Sequence, residues 1–165
     1  MGRRIAIRTL VVVLVLGSAV VASSPPAGAV GGPSVVEYSV LHDQTSVSDV
    51  AVAPDGQVWF LQDSDVPDHR SVIGSITPEG TITEHTNARG CCSIAVGGDG
   101  NLWFADGFEI GRLIPQGVVS SFPLGGGRCC AQEIVAGPDG NIWARVSGGT
   151  EGGFGRMTPD GVFTL

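Results

Sequence analysis

Apolar and polar residues alternate in short runs along most of this chain, from about residue 34 to its last residue. Ile, Val, Trp and Phe occupy many of the apolar positions, and clusters of Pro, Gly and Asp bound the runs. Such alternation is typical of short β-strands with one buried face. A continuous apolar run from Leu10 to Ala22 has no such alternation. The pattern therefore predicts an all-β domain preceded by a separate apolar segment.

The alternating pattern repeats three times. Tryptophans stand at one position of each repeat, Trp59, Trp103 and Trp143, with spacings of 44 and 40 residues. The segments 49–60, 93–104 and 133–144 align, and each is followed by a second matching block at 73–80, 110–117 or 154–161. A unit of about 40–45 residues with four strands is the period of a β-propeller blade.

Turn residues recur in register with these repeats. Six triplets, each beginning with Pro or Gly and ending in Gly, separate the β-rich runs; they lie at 54–56, 78–80, 98–100, 115–117, 138–140 and 159–161. Pro sets φ for a turn and Gly accepts positive φ, so the triplets predict tight hairpin turns. Four antiparallel strands follow for each repeat, labelled A to D. An irregular β-sandwich would not place a turn triplet six times in register.

These runs predict about three four-stranded blades, as an open arc or a partial β-propeller. The predicted blades are residues 48–86, 92–123 and 132–165, and a lone leading strand at 34–40 precedes them. The repeated tryptophans fall inside strand B of each blade, where blade-to-blade packing explains them better than a ligand platform. His85 lies in a D strand, where Phe122 has the matching position, so a structural role is favoured.

Residues 1–29 have the order of a secretory signal peptide. Arg3, Arg4 and Arg8 precede the apolar run, and Ala27-Gly28-Ala29 supplies a cleavage site of small residues. A membrane anchor is the alternative, but the run is shorter than the ~20 residues that span a bilayer. We therefore predict a secreted, extracellular protein whose mature part is residues 30–165.

Charge excludes some partners. The whole chain has a formal net charge of −7, and removal of residues 1–29 makes it −10 because three arginines and no acidic residues are lost. A domain this acidic lacks the basic surface that binding to phosphates requires. Nucleic acid is therefore not an expected partner. An anionic membrane surface is excluded for the same reason.

The repeat motifs resemble those of the virginiamycin B lyases, also called streptogramin B lyases. The runs GPDGNIW (137–143), GDGNLWFAD (98–106), IGRLIP (110–115) and FGRMTPDG (154–161) carry the resemblance, which covers 34–165. It implies seven-bladed propellers that open cyclic depsipeptide antibiotics by elimination, with Mg²⁺ and a general base. This chain has room for about three blades. Three interpretations are open. The chain is a truncated gene product, it is a fragment of a longer chain, or its exposed blade faces bind missing blades or a second copy of the chain.

The resemblance also implies where chemistry would lie. The B–C and D–A loops vary in length between repeats, so a small-molecule or peptide ligand is expected on that face. The family's essential His precedes the Ile of strand A by two residues, and the matching positions here are Ser48, Cys92 and Gln132. Asp63 and Asp106 follow the WF pairs, roughly where the family has a carboxylate. Two function classes follow: a non-catalytic binding or scaffold module, or a Mg-dependent lyase completed by missing blades or a second chain.

One loop gathers possible metal ligands. Asp63, Asp65 and Asp68 stand close together before His69, and carboxylate oxygens suit hard cations such as Mg²⁺ or Ca²⁺. The full spacing of a Ca²⁺ loop is absent, so a solvated acidic loop is the simpler interpretation.

The four cysteines form two adjacent pairs, Cys91-Cys92 and Cys129-Cys130. Both pairs fall in predicted D–A loops of successive repeats. An oxidising compartment favours disulfides, with three possible connectivities. A Cys₄ zinc site is the alternative, although the spacing differs from the usual one.

Overall fold

The computed structural model describes seven stretches of the chain, namely residues 10–11, 36–38, 46–62, 70–89, 91–125, 128–148 and 152–165. The chain divides into two compact units, Met1–Gln44 and Thr45–Leu165. In the first unit, β1 (Leu10–Val11) pairs antiparallel with β2 (Glu37–Tyr38), so a piece of the apolar run pairs with part of the predicted leading strand.

The second unit consists of three four-stranded antiparallel sheets. The first blade contains β3 (Val47–Val52), β4 (Val58–Gln62), β5 (Arg70–Ile76) and β6 (Ile82–Arg89). The second contains β7 (Cys91–Val96), β8 (Leu102–Asp106), β9 (Glu109–Leu113) and β10 (Val119–Pro123). The third contains β11 (Arg128–Ala136), β12 (Ile142–Gly148), β13 (Gly153–Met157) and β14 (Phe163–Thr164). The strands of each blade are neighbours in sequence order, which confirms the predicted partial β-propeller.

Strand register is the same in the three blades around the repeated tryptophan. Ala51, Ala95 and Val135 of the A strands lie opposite Trp59, Trp103 and Trp143, respectively. On their other side the tryptophans lie opposite Ser75, Arg112 and Arg156 of the C strands. The sequence repeat is therefore also a repeat of backbone pairing.

Within the described residues, no helix is long and apolar enough to cross a bilayer.

All six predicted turn triplets form hairpin turns. In each, the amide of the turn glycine donates to the carbonyl three residues earlier, as from Gly56 to Ala53 at 2.9 Å and from Gly117 to Ile114 at 2.9 Å. The six turn glycines have φ between 76° and 91°. A side chain is disfavoured in that left-handed region, which explains why Gly ends every triplet.

The A–B turns use a carboxylate to hold the start of strand B. Asp99 Oδ1 accepts from the Asn101 amide at 3.1 Å and from Trp103 Nε1 at 3.1 Å, while Asn101 Nδ2 donates to Asp99 Oδ2 at 2.7 Å. Asp139 makes the same set of bonds with Asn141 and Trp143. The hydrogen bond from the Asn141 side chain is the main cause that lowers the pKa of Asp139. The motif Asp-Gly-Asn-x-Trp is thus a turn motif that positions the tryptophan.

Blade one packs against blade two through an apolar cluster. We call the face of a blade that points toward the next repeat its trailing face. The trailing face of blade one contributes Trp59, Leu61 and Ile73 to this cluster. Blade two contributes its leading face, the opposite side of the sheet, with Ile94, Leu102, Phe104 and Leu113. Leu61 and Ile73 have no exposed surface.

Blade two packs against blade three in the same way. The trailing face of blade two carries Trp103, Ala105 and Ile110, and the leading face of blade three carries Ile134, Ile142, Ala144 and Met157. The guanidinium of Arg112 lies 5.4 Å from the ring centre of Trp103, and its Nη1 donates to the carbonyl oxygen of Pro159 at 2.7 Å. Blades one and two therefore each bury one face of the blade that follows.

Candidate functional site

The three positions that match the family's catalytic His lie within the A strands, and none of them carries an imidazole. Ser48 is exposed, and its hydroxyl donates to the Leu61 carbonyl at 3.4 Å. Gln132 is half-buried, and its Oε1 accepts from Arg145 Nη1. Cys92 lies within β7. Ser48 and Gln132 are thus engaged with the protein itself, in contacts that stabilise the A–B strand pair.

Arg145 connects Gln132 to a neighbouring carboxylate. Its Nε lies 3.3 Å from Glu133 Oε2, and the two side chains are 50% and 67% exposed. Such an exposed pair contributes little to stability because water screens it. The group forms an exposed polar surface on blade three.

Two carboxylates, Asp63 and Asp106, are expected after the WF pairs, and the structure describes one of them. Asp106 ends β8, is half-buried and lies opposite both Glu109 and Cys91 in the sheet. Asp63 lies outside the described residues. Asp106 therefore occupies the rim of blade two, at the start of its B–C turn.

That B–C turn is fastened to the residue that follows β10 and to strand β11 of blade three. The Ala131 amide donates to the Gly107 carbonyl at 2.9 Å, and the Leu124 amide donates to the Phe108 carbonyl at 3.1 Å. Phe108 itself is 68% exposed at the tip. Backbone hydrogen bonds therefore hold this part of the loop face in place, and one aromatic ring, that of Phe108, projects from it.

The paired cysteines lie in the first, irregular parts of two neighbouring A strands. β7 shows a register shift between Cys91 and Ile94, and β11 shows two, between Cys129 and Ala131 and between Ala131 and Glu133. Cys130 is exposed and has a φ of 63°, which is uncommon for a residue other than Gly. The pairs thus belong to bulged strands rather than to loops. The predicted disulfides stay a prediction.

No metal centre is present among the described residues, since no three His, Cys, Asp or Glu side chains there are grouped closely enough to hold an ion. The predicted ligands Asp63, Asp65 and Asp68 fall within 63–69, outside the described stretches. The Mg²⁺ implied by the family resemblance therefore has no ligand set among the described residues.

Blade one contains a hydrogen-bonded Ser–His pair that the sequence did not suggest. Gln57 Nε2 donates to Ser75 Oγ at 2.8 Å, and Ser75 Oγ lies 2.8 Å from His85 Nε2. Because Ser75 accepts from Gln57, its own proton is available for the neutral imidazole. Burial lowers the pKa of His85, which favours the same neutral form.

This pair is structural. Ser75 is 1% exposed, so no substrate carbonyl could reach its hydroxyl. The His85 ring lies 4.7 Å from the Trp59 ring, just as Phe122 packs against Trp103 at 5.7 Å in blade two. A signal was present in the sequence: Gln57 and Ser75 depart from the Asn and Arg that the other two repeats have at these positions.

The fold and its repeated blade contacts define the class of protein: a β-propeller. Residues 27–165 match the model of the virginiamycin B lyase family, and the chain belongs to that family. No curated protein matches the sequence.

Solved structures share the fold. A streptogramin B lyase structure has 24% identity and a TM-score of 0.62, and the match covers 80% of this chain and 44% of that chain. A catalytically inactive virginiamycin B lyase from Staphylococcus aureus with quinupristin has 22% identity and a TM-score of 0.51, with coverage of 80% and 59%.

A gluconolactonase from Xanthomonas campestris has 16% identity and a TM-score of 0.54, with coverage of 73% and 46%. The chain thus spans about half the length of each of these relatives. At these identities the likeness shows the fold alone.

Proposed function

We propose that this protein is a secreted β-propeller module that binds a ligand or scaffolds a partner, and that by itself it does not cleave streptogramin B antibiotics. The observation that carries the proposal is the content of the three positions where the family's general base is expected. Neither a serine nor a glutamine side chain can accept a proton as an imidazole does at neutral pH, and a cysteine thiol, with an ordinary pKa of about 8.5, is mostly protonated there. Ser48 and Gln132 are also occupied by Leu61 and Arg145.

The surface that supports binding is the rim at blades two and three. It combines the projecting ring of Phe108 with the half-buried carboxylate of Asp106. Rigid strands that present variable loops are a common basis for recognition. A small molecule or peptide with both apolar and polar groups is the ligand class that such a rim fits.

A second function is supported by family membership. The chain would then be part of a Mg-dependent C–O lyase that opens streptogramin B rings, with the base and the metal ligands supplied by further blades or another chain. Asp106 at the rim would be its contribution to that site.

Incubation with a streptogramin B antibiotic and Mg²⁺, followed by mass spectrometry, separates the two functions. We expect no ring-opened product from the exported chain, whose N-terminus should be Val30 if the signal peptide is cleaved as predicted. Virginiamycin B lyase from S. aureus without the inactivating substitution serves as the positive control. Ring opening that is lost in Asp106→Asn and kept in Glu133→Gln would overturn the proposal in favour of the lyase; an exported chain that retains residues 1–29 would contradict the signal peptide.

A further inference from the structure

The two blade junctions inside the chain differ in the side chains beside the repeated tryptophan. Three positions change together: the residue two before the tryptophan, its partner on strand C, and the strand D residue whose ring packs on it. Blade two has Asn101, Arg112 and Phe122 at these positions, and blade one has Gln57, Ser75 and His85. The two junctions are therefore supported by different chemistry.

The residue before the A–B turn explains why blade one needs other partners. A Cβ at Gly97 would lie 2.5 Å from Asp99 Oδ1 and 2.7 Å from Trp103 Nε1, the two atoms of the hydrogen bond that holds the tryptophan of blade two. Blade one has Ala53 at this position, and it packs against the apolar cluster of the first junction. The hydrogen bond of blade two therefore has no room in blade one, where Trp59 packs with other partners.

A β-bulge brings His85 to this place. The register between β5 and β6 shifts here, which leaves His85 without a residue opposite it on β5. Bulges of this kind change the direction of a side chain. His85 Nε2 lies 2.8 Å from Ser75 Oγ, and the imidazole ring centre lies 4.7 Å from that of Trp59. Because Trp59 belongs to the cluster that packs blade one on blade two, His85 adjoins the first junction directly.

The Ser75 hydroxyl has one proton to donate, and its acceptor depends on the state of His85. Gln57 Nε2 donates to Ser75 Oγ at 2.8 Å, so the hydroxyl donates to the neutral imidazole at Nε2. When Nε2 takes up a proton, it becomes a donor as well, and Ser75 Oγ lies between two donors. The hydroxyl proton then has no acceptor among the described residues, and at 1% exposure it does not reach water. A buried donor without a partner is unfavourable, so protonation weakens this network.

The second junction has no such proton balance at the matching positions. The guanidinium of Arg112 stays charged throughout the physiological pH range, and Phe122 has no titratable group. Arg112 Nη1 donates across the junction to the Pro159 carbonyl at 2.7 Å. At these positions, pH therefore acts on the first junction and not on the second.

Charged groups of both signs lie on the elements around His85. The arginines are distant from the network, since Arg70 begins β5 and Arg89 ends β6 at the loop face. Blade two packs against the trailing face of blade one with apolar side chains. Burial outweighs the surrounding carboxylates, because the pKa of His85 is lowered from 6.5. Those carboxylates are Asp49 on β3, Asp55 and Glu79 in the turns of blade one, Glu84 on β6, and Asp99 in the A–B turn of blade two.

We propose that the hydrogen-bonded network of Gln57, Ser75 and His85 makes the junction between blades one and two sensitive to pH, so that uptake of a proton by His85 loosens blade one from blade two. The half-buried ring takes this proton from solvent. The neutral ring belongs to the closed junction, which is therefore tightest above pH 6.5. It loosens as the pH falls from 6.5 through the lower pKa of the folded state.

Hydrogen exchange followed by NMR on the full chain tests the proposal, because one amide reports on each junction. The Ile94 amide donates to Asp49 at the first junction, and the Ile134 amide donates to Ser93 at the second. Between pH 8 and pH 5 we expect the protection factor of Ile94 to fall by about threefold or more, and that of Ile134 to fall by a smaller factor. An equal fall at both amides, or no fall at Ile94, would overturn the proposal.

His85→Gln is the matched variant for this measurement. Its amide oxygen can still accept from the Ser75 hydroxyl, but it takes up no proton in this pH range. The protection of Ile94 should then be nearly independent of pH, and a fall equal to that of the unmodified chain would assign the effect to another group and refute the proposal. Thermal unfolding verifies that the variant is folded.

Ser75→Ala tests the network separately from the burial of the imidazole. This variant has no hydroxyl proton that can lose its acceptor, so the fall in Ile94 protection should be smaller than in the unmodified chain. A fall of the same size would show that the hydroxyl has no part in the pH response, which contradicts the proposed network.

Discussion

Phenylalanine rings fill the space left by a glycine in the C strand of each blade. A Cβ at Gly74 would overlap the Phe60 ring, and a Cβ at Gly111 would overlap the Phe104 ring. Blade three has Ala144 where the others have Phe, and there the Phe163 ring comes from strand D to lie on Gly155. A phenylalanine ring therefore covers the glycine in all three blades, although it comes from strand B in blades one and two and from strand D in blade three.

We predict a graded series of alanine substitutions from this contact. Gly111→Ala should destabilise the fold by about 1–3 kcal/mol, because Phe104 is 2% exposed and has no space into which to move. Gly155→Ala should cost less, since Phe163 is only half-buried. Gly153→Ala is the matched control: a Cβ there meets nothing within 4 Å. Urea unfolding gives the three free energies, and equal values for Gly111→Ala and Gly153→Ala would refute the contact.

The imidazole of His85 predicts a dependence of stability on pH. Its pKa is lowered from 6.5 by burial, so the folded state favours the neutral ring. The contribution of this group is fully present above pH 6.5 and is lost as the pH falls from 6.5 through the lower folded-state pKa. Unfolding free energies measured between pH 8 and 5 should therefore decline.

The matched variant for this measurement is His85→Phe, which places in blade one the residue that blade two has at Phe122. It should flatten the decline, because a phenyl ring can still pack on Trp59 but cannot be protonated. If the slope of the variant equals that of the unmodified chain, another group causes the pH dependence.

The A strands are the elements that join the blades. Asp49 and Ser93 each accept a hydrogen bond from the amide of the next A strand, and Ser93 Oγ also approaches the Ile134 carbonyl at 3.5 Å. The two residues differ in chemistry and share their position in strand A, directly before Val50 and Ile94, respectively. A polar group at the start of this strand is therefore a means of aligning one sheet with the next.

We predict that removal of these acceptors loosens one junction at a time. Asp49→Ala should destabilise the domain by about 1–2 kcal/mol, because the buried Ile94 amide then lacks its partner. Ser93→Ala should have a similar effect at the Ile134 amide. Hydrogen exchange followed by mass spectrometry should show faster exchange in β7 for the first variant and in β11 for the second. Exchange that rises in both strands in each variant would contradict separate junctions.

The sequence predicted most of the domain's organisation. Six turn triplets and three tryptophans in register were enough to assign the strands of three blades, because a repeat supplies three copies of each signal. The bulges at Cys91 and Cys129 were not predictable, since an extra residue in a strand leaves the alternation of neighbouring residues almost unchanged. The Ser75–His85 contact was also missed, because it joins residues ten apart on adjacent strands.

The candidate site was predicted less well than the fold. The resemblance directed attention to Ser48, Cys92 and Gln132, and the sequence showed that no His is there. It could not show that Gln132 contacts Arg145, or that the Gly107–Phe108 turn is bonded to residues 124 and 131. Those contacts depend on how neighbouring strands and blades pack against each other. The spacing of residues along the sequence does not define that packing.

At the scale of the whole molecule, the acceptors at Asp49 and Ser93 give the row of blades a polarity. Blade two carries on one side the Ser93 hydroxyl that receives the next blade and on the other the Ile94 amide that joins it to the previous one. A tandem duplication of one blade's coding sequence therefore produces a new blade that already has both halves of the junction, in the correct orientation. Growth and loss of blades can proceed one repeat at a time without the invention of a new interface, and a reversed blade would find no partner.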